Sequence, residues 1–157
     1  MTELHPFFDA GRGLDWLIGQ ARPAIRESAV THTGHLSSAM RAGWQWSVTD
    51  DESLVFACAL VEEAPGRAWA IGLPGEALKD ARQLLRLRRP WSVAVASPTF
   101  HTIRALVRED DDSARAFAHF LAFDYDCGPM TEFALDGSDM GLWIRRNGGG
   151  LSRTRRQ

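Results

Sequence analysis

The sequence predicts an α+β domain built on a central mixed, mostly antiparallel sheet flanked by helices, and three observations carry that prediction. Two apolar runs of strand length, Leu54 to Val61 and Arg67 to Leu73, are separated by Glu62-Glu63-Ala64-Pro65-Gly66, whose turn chemistry makes an antiparallel hairpin the simplest connection. Apolar residues at helical spacing lie both before and after this hairpin, so neither an all-β nor an all-α domain fits. The order helix, helix, three strands, helices, strand, helix, two strands also lacks the regular alternation of a doubly wound parallel sheet.

Each element has its own local reason. Leu14 to Val30 reads as a helix with Trp16, Leu17, Ile25 and Val30 toward the core and Pro23 as a kink or break, and Ser37 to Ala42 as a shorter second helix. Trp44 to Val48 alternates apolar and polar residues as a half-exposed strand does, and Thr49 to Ser53 is a polar turn. The unbroken apolar run Leu54 to Val61 is the pattern of a strand covered on both faces. After Pro74-Gly75, the residues Ala77, Leu78, Ala81, Leu84 and Leu85 fall at helical spacing, with Arg82, Arg86 and Arg89 on a different face. Pro90 ends this helix or starts the next, and Trp91 to Ser97 forms a short helix stopped by Pro98. Ile103 to Val107 is a strand, and Asp110-Asp111-Asp112 puts carboxylates where a helix amino terminus favours them. That helix carries Ala114, Phe117 and Leu121 on one stripe. Met130 to Leu135 and Gly141 to Ile144, joined by Asp136-Gly137-Ser138, close the chain as strands.

With 157 residues, 45% of them hydrophobic, the chain can bury one full core, and no repeat or linker divides it. Residues 1–144 are expected to form a single domain and residues 145–157 a basic Gly/Arg-rich tail, with Arg145, Arg146, Arg153, Arg155 and Arg156 and no acid. No stretch approaches the roughly 20 consecutive apolar residues of a membrane span. Met1 to Ala10 lacks a basic segment followed by an apolar one, so no membrane contact and no secretion by a signal peptide are expected. Cys58 and Cys127 lie in no metal-ligand spacing and are expected to be free thiols. His32-x-x-His35 finds no further ligand at fixed spacing, so no metal site is expected. Ser37, Ser38 and Ser97 have no nucleophile-elbow context, which removes hydrolase chemistry from consideration.

Residues Ala105 to Phe123 resemble the closing motif of the acyl-CoA N-acyltransferases (GNAT), a strand followed by Asn-x-x-Ala-x-x-Phe-Tyr-x-x-x-Gly-Phe on a helix. Here Asp111 stands at the Asn position, Ala114 at the Ala, Phe117 at the Phe, Ala118 at the Tyr, Ala122 at the Gly and Phe123 at the final Phe. The order of elements resembles that family over almost the whole chain. Within it, Ala68 to Ile71, Leu85-Arg86-Leu87-Arg88-Arg89, Ile103 to Val107 and Phe117 to Phe123 look like a divergent branch, the internal virion proteins of short-tailed bacteriophages.

The resemblance implies a site for acetyl-CoA whose pyrophosphate rests on backbone N–H groups of a glycine-rich loop entering a helix. The corresponding stretch, Leu73-Pro74-Gly75-Glu76-Ala77-Leu78, has one glycine, no initial Arg or Gln, and an acid. The cofactor-binding candidates are therefore Leu73, Gly75, Ala77, Asp111 and Phe117. The family's acid is the Tyr, replaced here by Ala118; His119 is adjacent but turned by about 100° on a helix. The resemblance implies a carboxylate base on or near the family's fourth strand, and Arg67 to Leu73 holds no acid, which leaves Glu62, Glu63 and His119 as catalytic candidates. These departures imply an accessory or structural protein, such as a bacteriophage virion component in the virion or the bacterial cytoplasm, with an eroded site, no cofactor and other virion proteins as partners. The alternative is an active N-acetyltransferase using acetyl-CoA on an unknown amine. Arg82, Arg86, Arg89 and the 145–157 tail are candidates for nucleic-acid contact; the six tryptophans are expected mostly in the core, with Trp44, Trp46 and Trp143 candidates for a partner-facing surface where they are exposed.

Overall fold

Among the described residues, seven strands pair into one sheet with the order β1-β2-β3-β4-β5-β7-β6. The computed structural model describes residues 2–6, 14–23, 44–76, 78, 84–85, 87–89, 91–92, 99–134 and 136–147. In chain order the elements are β1 (Thr2–Pro6), α1 (Leu14–Gln20), β2 (Trp44–Asp50), β3 (Ser53–Ala64), β4 (Arg67–Pro74), β5 (Thr102–Arg108), α2 (Asp112–Phe120), β6 (Asp124–Met130) and β7 (Met140–Arg146). Every neighbouring pair is antiparallel except β4 and β5, which makes the sheet mixed, mostly antiparallel, and the domain α+β.

The apolar run at the centre sets the layering. Residues 54–60 of β3 are all buried, because side chains alternate across the sheet and both faces are covered. On one face Phe56, Cys58 and Leu60 join Ala68 of β4 and Ile103 of β5 against Leu78, Leu87, Trp91 and the Ala118–Leu121–Phe123 end of α2. On the other, Leu54, Ala57, Ala59 and Leu73 pack against Ile18 and Trp16 of α1. Aromatic edges lock the first layer: Phe56 meets Trp91 at 6.0 Å and Phe117 at 5.2 Å between ring centroids, both T-shaped. Burial pushes the Cys58 thiol pKa up, so it acts as a small apolar core residue; Cys127 is exposed, and both are free. The β2–β3 hairpin turns on Asp51 and Glu52, both at positive φ (48° and 63°), as a two-residue turn matched to strand twist requires.

Several elements depart from the sequence-based expectation. Strand β1 was not expected, since Thr2–Pro6 shows no apolar alternation; it lies at the sheet edge, paired only with β2. The sixth strand is Asp124–Met130 rather than Met130 to Leu135: at the other edge, residues 124–129 are all exposed, so no apolar pattern marks the strand. Phe133, whose apolar side chain suggested a strand, sits in the following loop at 57% exposure. Strand β3 continues through Glu62 and Glu63 to Ala64, and the hairpin turn is only Pro65–Gly66. Strand β7 runs to Arg146, two residues past the boundary expected after residue 144. Trp143 is 8% exposed and packs in the core, so it cannot face a partner. The helix expected at 37–42, the second half of the first helix at 24–30, and residues 93–97, Ala77, Arg82, Arg86, His32, His35 and the tail from 148 lie outside the described residues, as do the side chains of Trp44 and Trp46. Among the described residues no helix is long and apolar enough to cross a membrane, and no three His, Cys, Asp or Glu side chains converge as metal ligands.

Candidate active site

The parallel pair β4/β5 is joined by three residue pairs only: Arg67 with Thr102, Ala68 with Ile103, and Trp69 with Arg104. Beyond that rung residues 70–74 and 105–108 continue as strands without pairing to each other, so the sheet opens into a fork. β4 still pairs with β3 as far as Pro74, and β5 with β7 as far as Arg108, so both prongs are rigid. A fork at the carboxyl ends of two parallel strands, where the connectivity changes, is where open sheets place ligands. It offers unpaired peptide groups along β4, and on the α2 side the half-buried Ala70, Ala105, Val107 and Phe117. An extended chain with amide groups and a thin apolar cross-section matches that lining.

The loop after β4 is arranged differently from the phosphate cradle that its sequence position implied. Leu73 is buried on the α1 face. The Gly75 N–H donates to the Val55 carbonyl at 2.9 Å, Glu76 N–H to Gln20 at 2.9 Å, and Leu78 N–H to Gly75 at 3.1 Å. Three amides that an anion would need are thus already used within the protein, and the exposed Glu76 adds a negative charge beside them. Glycine at 75 answers a steric demand: a Cβ there would lie 1.9 Å from the Leu54 carbonyl oxygen.

Helix α2 enters from the end of β5. Asp111 is its N-cap, Oδ1 accepting from the Ala114 N–H at 2.9 Å, so the side chain expected to meet a cofactor spends one oxygen on starting the helix. Phe117 is half-buried against Phe56 and Phe120 near the fork. Ala118 is 6% exposed and packed into the core, whereas His119 is exposed, as their separation around the helix demands. His119 therefore does not stand in for the missing tyrosine. Glu62 is exposed on β3 opposite Ala68.

Glu63 occupies a β-bulge: the β3–β4 register shifts between Glu62 and Ala64. Its Oε2 accepts from Arg104 Nη1 at 3.2 Å, and the Arg104 guanidinium lies over the Trp69 ring, 5.9 Å from its centroid. Arg104 Nε is buried and meets no acceptor among the described residues. Neither Arg104 nor Trp69 stood among the site residues expected from the sequence; only the parallel register brings them together at the closed end of the fork, across 41 residues from Glu63.

A second polar cluster stands at the open end. Glu109 directly follows β5 and its Oε1 accepts from the Tyr125 hydroxyl at 2.9 Å. A Cβ at Gly141 would fall 2.4 Å from that carboxylate oxygen, so glycine on β7 makes room for the pair. The hydrogen bond to Glu109 raises the Tyr125 phenol pKa above its ordinary value and keeps it protonated. Tyr125 lies on β6, two strands beyond β5, and its side chain reaches back across β7 so that the hydroxyl meets Glu109 at the end of β5. Arg108 clamps the neighbouring loop, with Nε and Nη2 on the two oxygens of Asp110 at 3.0 and 2.9 Å and Nη1 on Asp136 at 2.9 Å.

The clamp has a defined pH response. The Asp110 carboxyl is held below the usual range chiefly by its hydrogen bond from Arg108, and Asp136 chiefly by its hydrogen bond with the Ser138 hydroxyl. A carboxylate whose folded pKa is depressed contributes stability above its unfolded pKa, about 3.9, and loses it as pH falls through the folded value. The clamp is therefore expected to hold at neutral pH and release only in acid, with the Asp110 and Asp136 midpoints below 3.9 in a carboxyl NMR titration. Midpoints at or above that value would contradict it.

No protein-family model matches the sequence, and no curated protein does. Solved structures do. The chain is similar to a probable acetyltransferase from Staphylococcus epidermidis, with TM-score 0.69 at 11% identity over 94% of this chain and 100% of that one. It is similar to the spermidine/spermine N-acetyltransferase of Vibrio cholerae, with TM-score 0.63 at 14% identity over 92% of each chain. The ribosomal-protein-S18-alanine N-acetyltransferase of Escherichia coli gives TM-score 0.62 at 12% identity over 97% of this chain and 98% of that one. At such identities the likeness is one of architecture, and the architecture of this chain is the GNAT fold.

Proposed function

We propose that the chain binds an acyl-CoA thioester in the β4–β5 fork and transfers the acyl group to an amine. The observation that carries this reading is the fork: two rigid prongs with free peptide edges and a narrow apolar lining suit the amide-bearing pantetheine arm. In such a site β4 N–H groups polarise the thioester carbonyl and stabilise the oxyanion that forms as nitrogen attacks. The C–N bond forms, the C–S bond breaks, and the proton lost by the attacking nitrogen passes through water to the departing thiolate, since Ala118 has none to give.

The loop geometry shapes the expectation further. With the amides of Gly75, Glu76 and Leu78 committed internally, the arm rather than the pyrophosphate is taken to carry most of the affinity. Calorimetric titration with acetyl-CoA and with acetyl-pantetheine tests this directly. Both are expected to bind, the smaller ligand no more than about tenfold weaker, which is about 1.4 kcal/mol. Absence of heat for either at millimolar concentration would sink the acyl-transfer reading.

A second reading is a non-catalytic binding module on the same fold. The buried Ala118 in place of a proton donor and the acid at Glu76 favour it. A place in a bacteriophage particle, with other particle proteins as partners, is a proposal that rests on the sequence resemblance alone. Contact with nucleic acid through the exposed Arg89 and the arginine tail is likewise proposed, and salt-dependent DNA binding would support it.

A further inference from the structure

The Arg104–Trp69–Glu63 cluster has no part in the acyl transfer described above, yet it stands at the last rung before the fork opens. Trp69 alternates with Ala68 and Ala70, which face α2, so the cluster lies on the opposite face of the sheet. We propose that it is a subsite for a carboxylate on the acceptor, so that the amine this protein acylates also bears one negative charge. The proposal rests on reading the fork as the acyl-transfer site.

Arginine carries five donors in a rigid plane. Here only Nη1 is engaged, on Glu63 Oε2, and Nε is buried without an acceptor among the described residues. A buried donor left in that state is costly, and the guanidinium edge formed by Nε and Nη2 matches the two oxygens of a carboxylate. Trp69 fixes the plane of the guanidinium. A small turn about that stack presents the Nε–Nη2 edge to an incoming anion. Glu63 sets how much charge the site accepts: with one arginine and one glutamate the cluster is neutral, which tolerates a single carboxylate and disfavours a phosphate dianion. An amine entering from this face would reach a carbonyl in the fork while its tail lies over Arg104.

The test uses the full chain and three matched probes, 4-aminobutyrate, its amide and 1,4-diaminobutane, with inorganic phosphate as a fourth. Binding is followed by NMR through the Trp69 indole and Arg104 Nε–H signals, and acetyl-CoA binding is measured separately. The carboxylate is expected to bind at least tenfold more tightly than the amide or the diamine. R104Q and R104K should both abolish that preference, since lysine keeps the charge and loses the fork, while E63Q should raise carboxylate affinity several-fold. The E63Q result stands by itself if the Arg104 variants do not fold. Equal binding of acid and amide, preference for phosphate or diamine, or a preference that survives R104K would overturn the proposal. A carboxylate preference without acetyl-CoA binding would leave the subsite standing and remove the acyl-transfer reading instead.

Discussion

Trp91→Ala is expected to destabilise the fold by about 4 kcal/mol, the range for removing a fully buried aromatic side chain, where lost apolar burial and the cavity left behind add together. Trp91 is 2% exposed and sits at the junction of three elements, edge-on to Phe56 of β3, tilted on Phe123, and donating Nε1–H to the Leu121 carbonyl at the end of α2 at 3.0 Å. The carbonyl itself is not orphaned by the change, because Arg145 Nη1 also donates to it at 2.8 Å. The penalty is therefore one of packing, and Trp91→Phe should recover most of it. For a chain of this size about 4 kcal/mol corresponds to a fall in Tm of roughly 8–16 °C. Urea or thermal melts of the two variants separate the contributions. A loss below about 1 kcal/mol for the alanine variant would mean that the α2-side layer is not packed as described.

Gly75→Ala is expected to cost about 3 kcal/mol or more, although it adds a single methyl group. The added carbon would lie 1.9 Å from the Leu54 oxygen and 2.6 Å from its carbonyl carbon, and both atoms belong to the backbone of the most buried strand. Nothing flexible can yield there, so the loop must lift away from β3 and break the Gly75–Val55 and Glu76–Gln20 hydrogen bonds. The isolated bridge between Ala21 and Gly75 would go with them. Since the loop anchors the outer end of β4, ligand affinity at the fork should fall along with stability. Chemical denaturation together with acetyl-pantetheine titration checks both, and a variant as stable as the parent would refute the close approach.

The β3–β4 hairpin was legible because its apolar runs are continuous and its turn carries Pro65-Gly66, and α2 was legible because Asp110-Asp111-Asp112 announces a helix start. Strand β6 was not, because an edge strand that buries none of residues 124–129 leaves no period-two signal to read. Glu62 and Glu63 were assigned to the turn when β3 in fact carries both, since a bulge accommodates a charged residue without breaking the strand. At the site, the identity of Gly75 was readable and its purpose was not. A glycine needed for an approaching peptide and a glycine needed for an approaching phosphate look the same in sequence. Asp111 was read both at the helix start and as a cofactor ligand, and the structure shows it as the cap. The fork and the Arg104 cluster depend on where a parallel register stops, which no local pattern encodes.

The three-rung seam between β4 and β5 also changes how the sheet should meet heavy water. A strand fourth in a row of seven would ordinarily hold the most slowly exchanging amides of a domain. Residues 70–73 hydrogen-bond to a neighbouring strand along one edge only, so the N–H groups among them that point outward exchange as those of a border strand do, in the middle of an otherwise protected sheet. Deuterium uptake along β4 is then a map of the opening, drawn without any ligand bound.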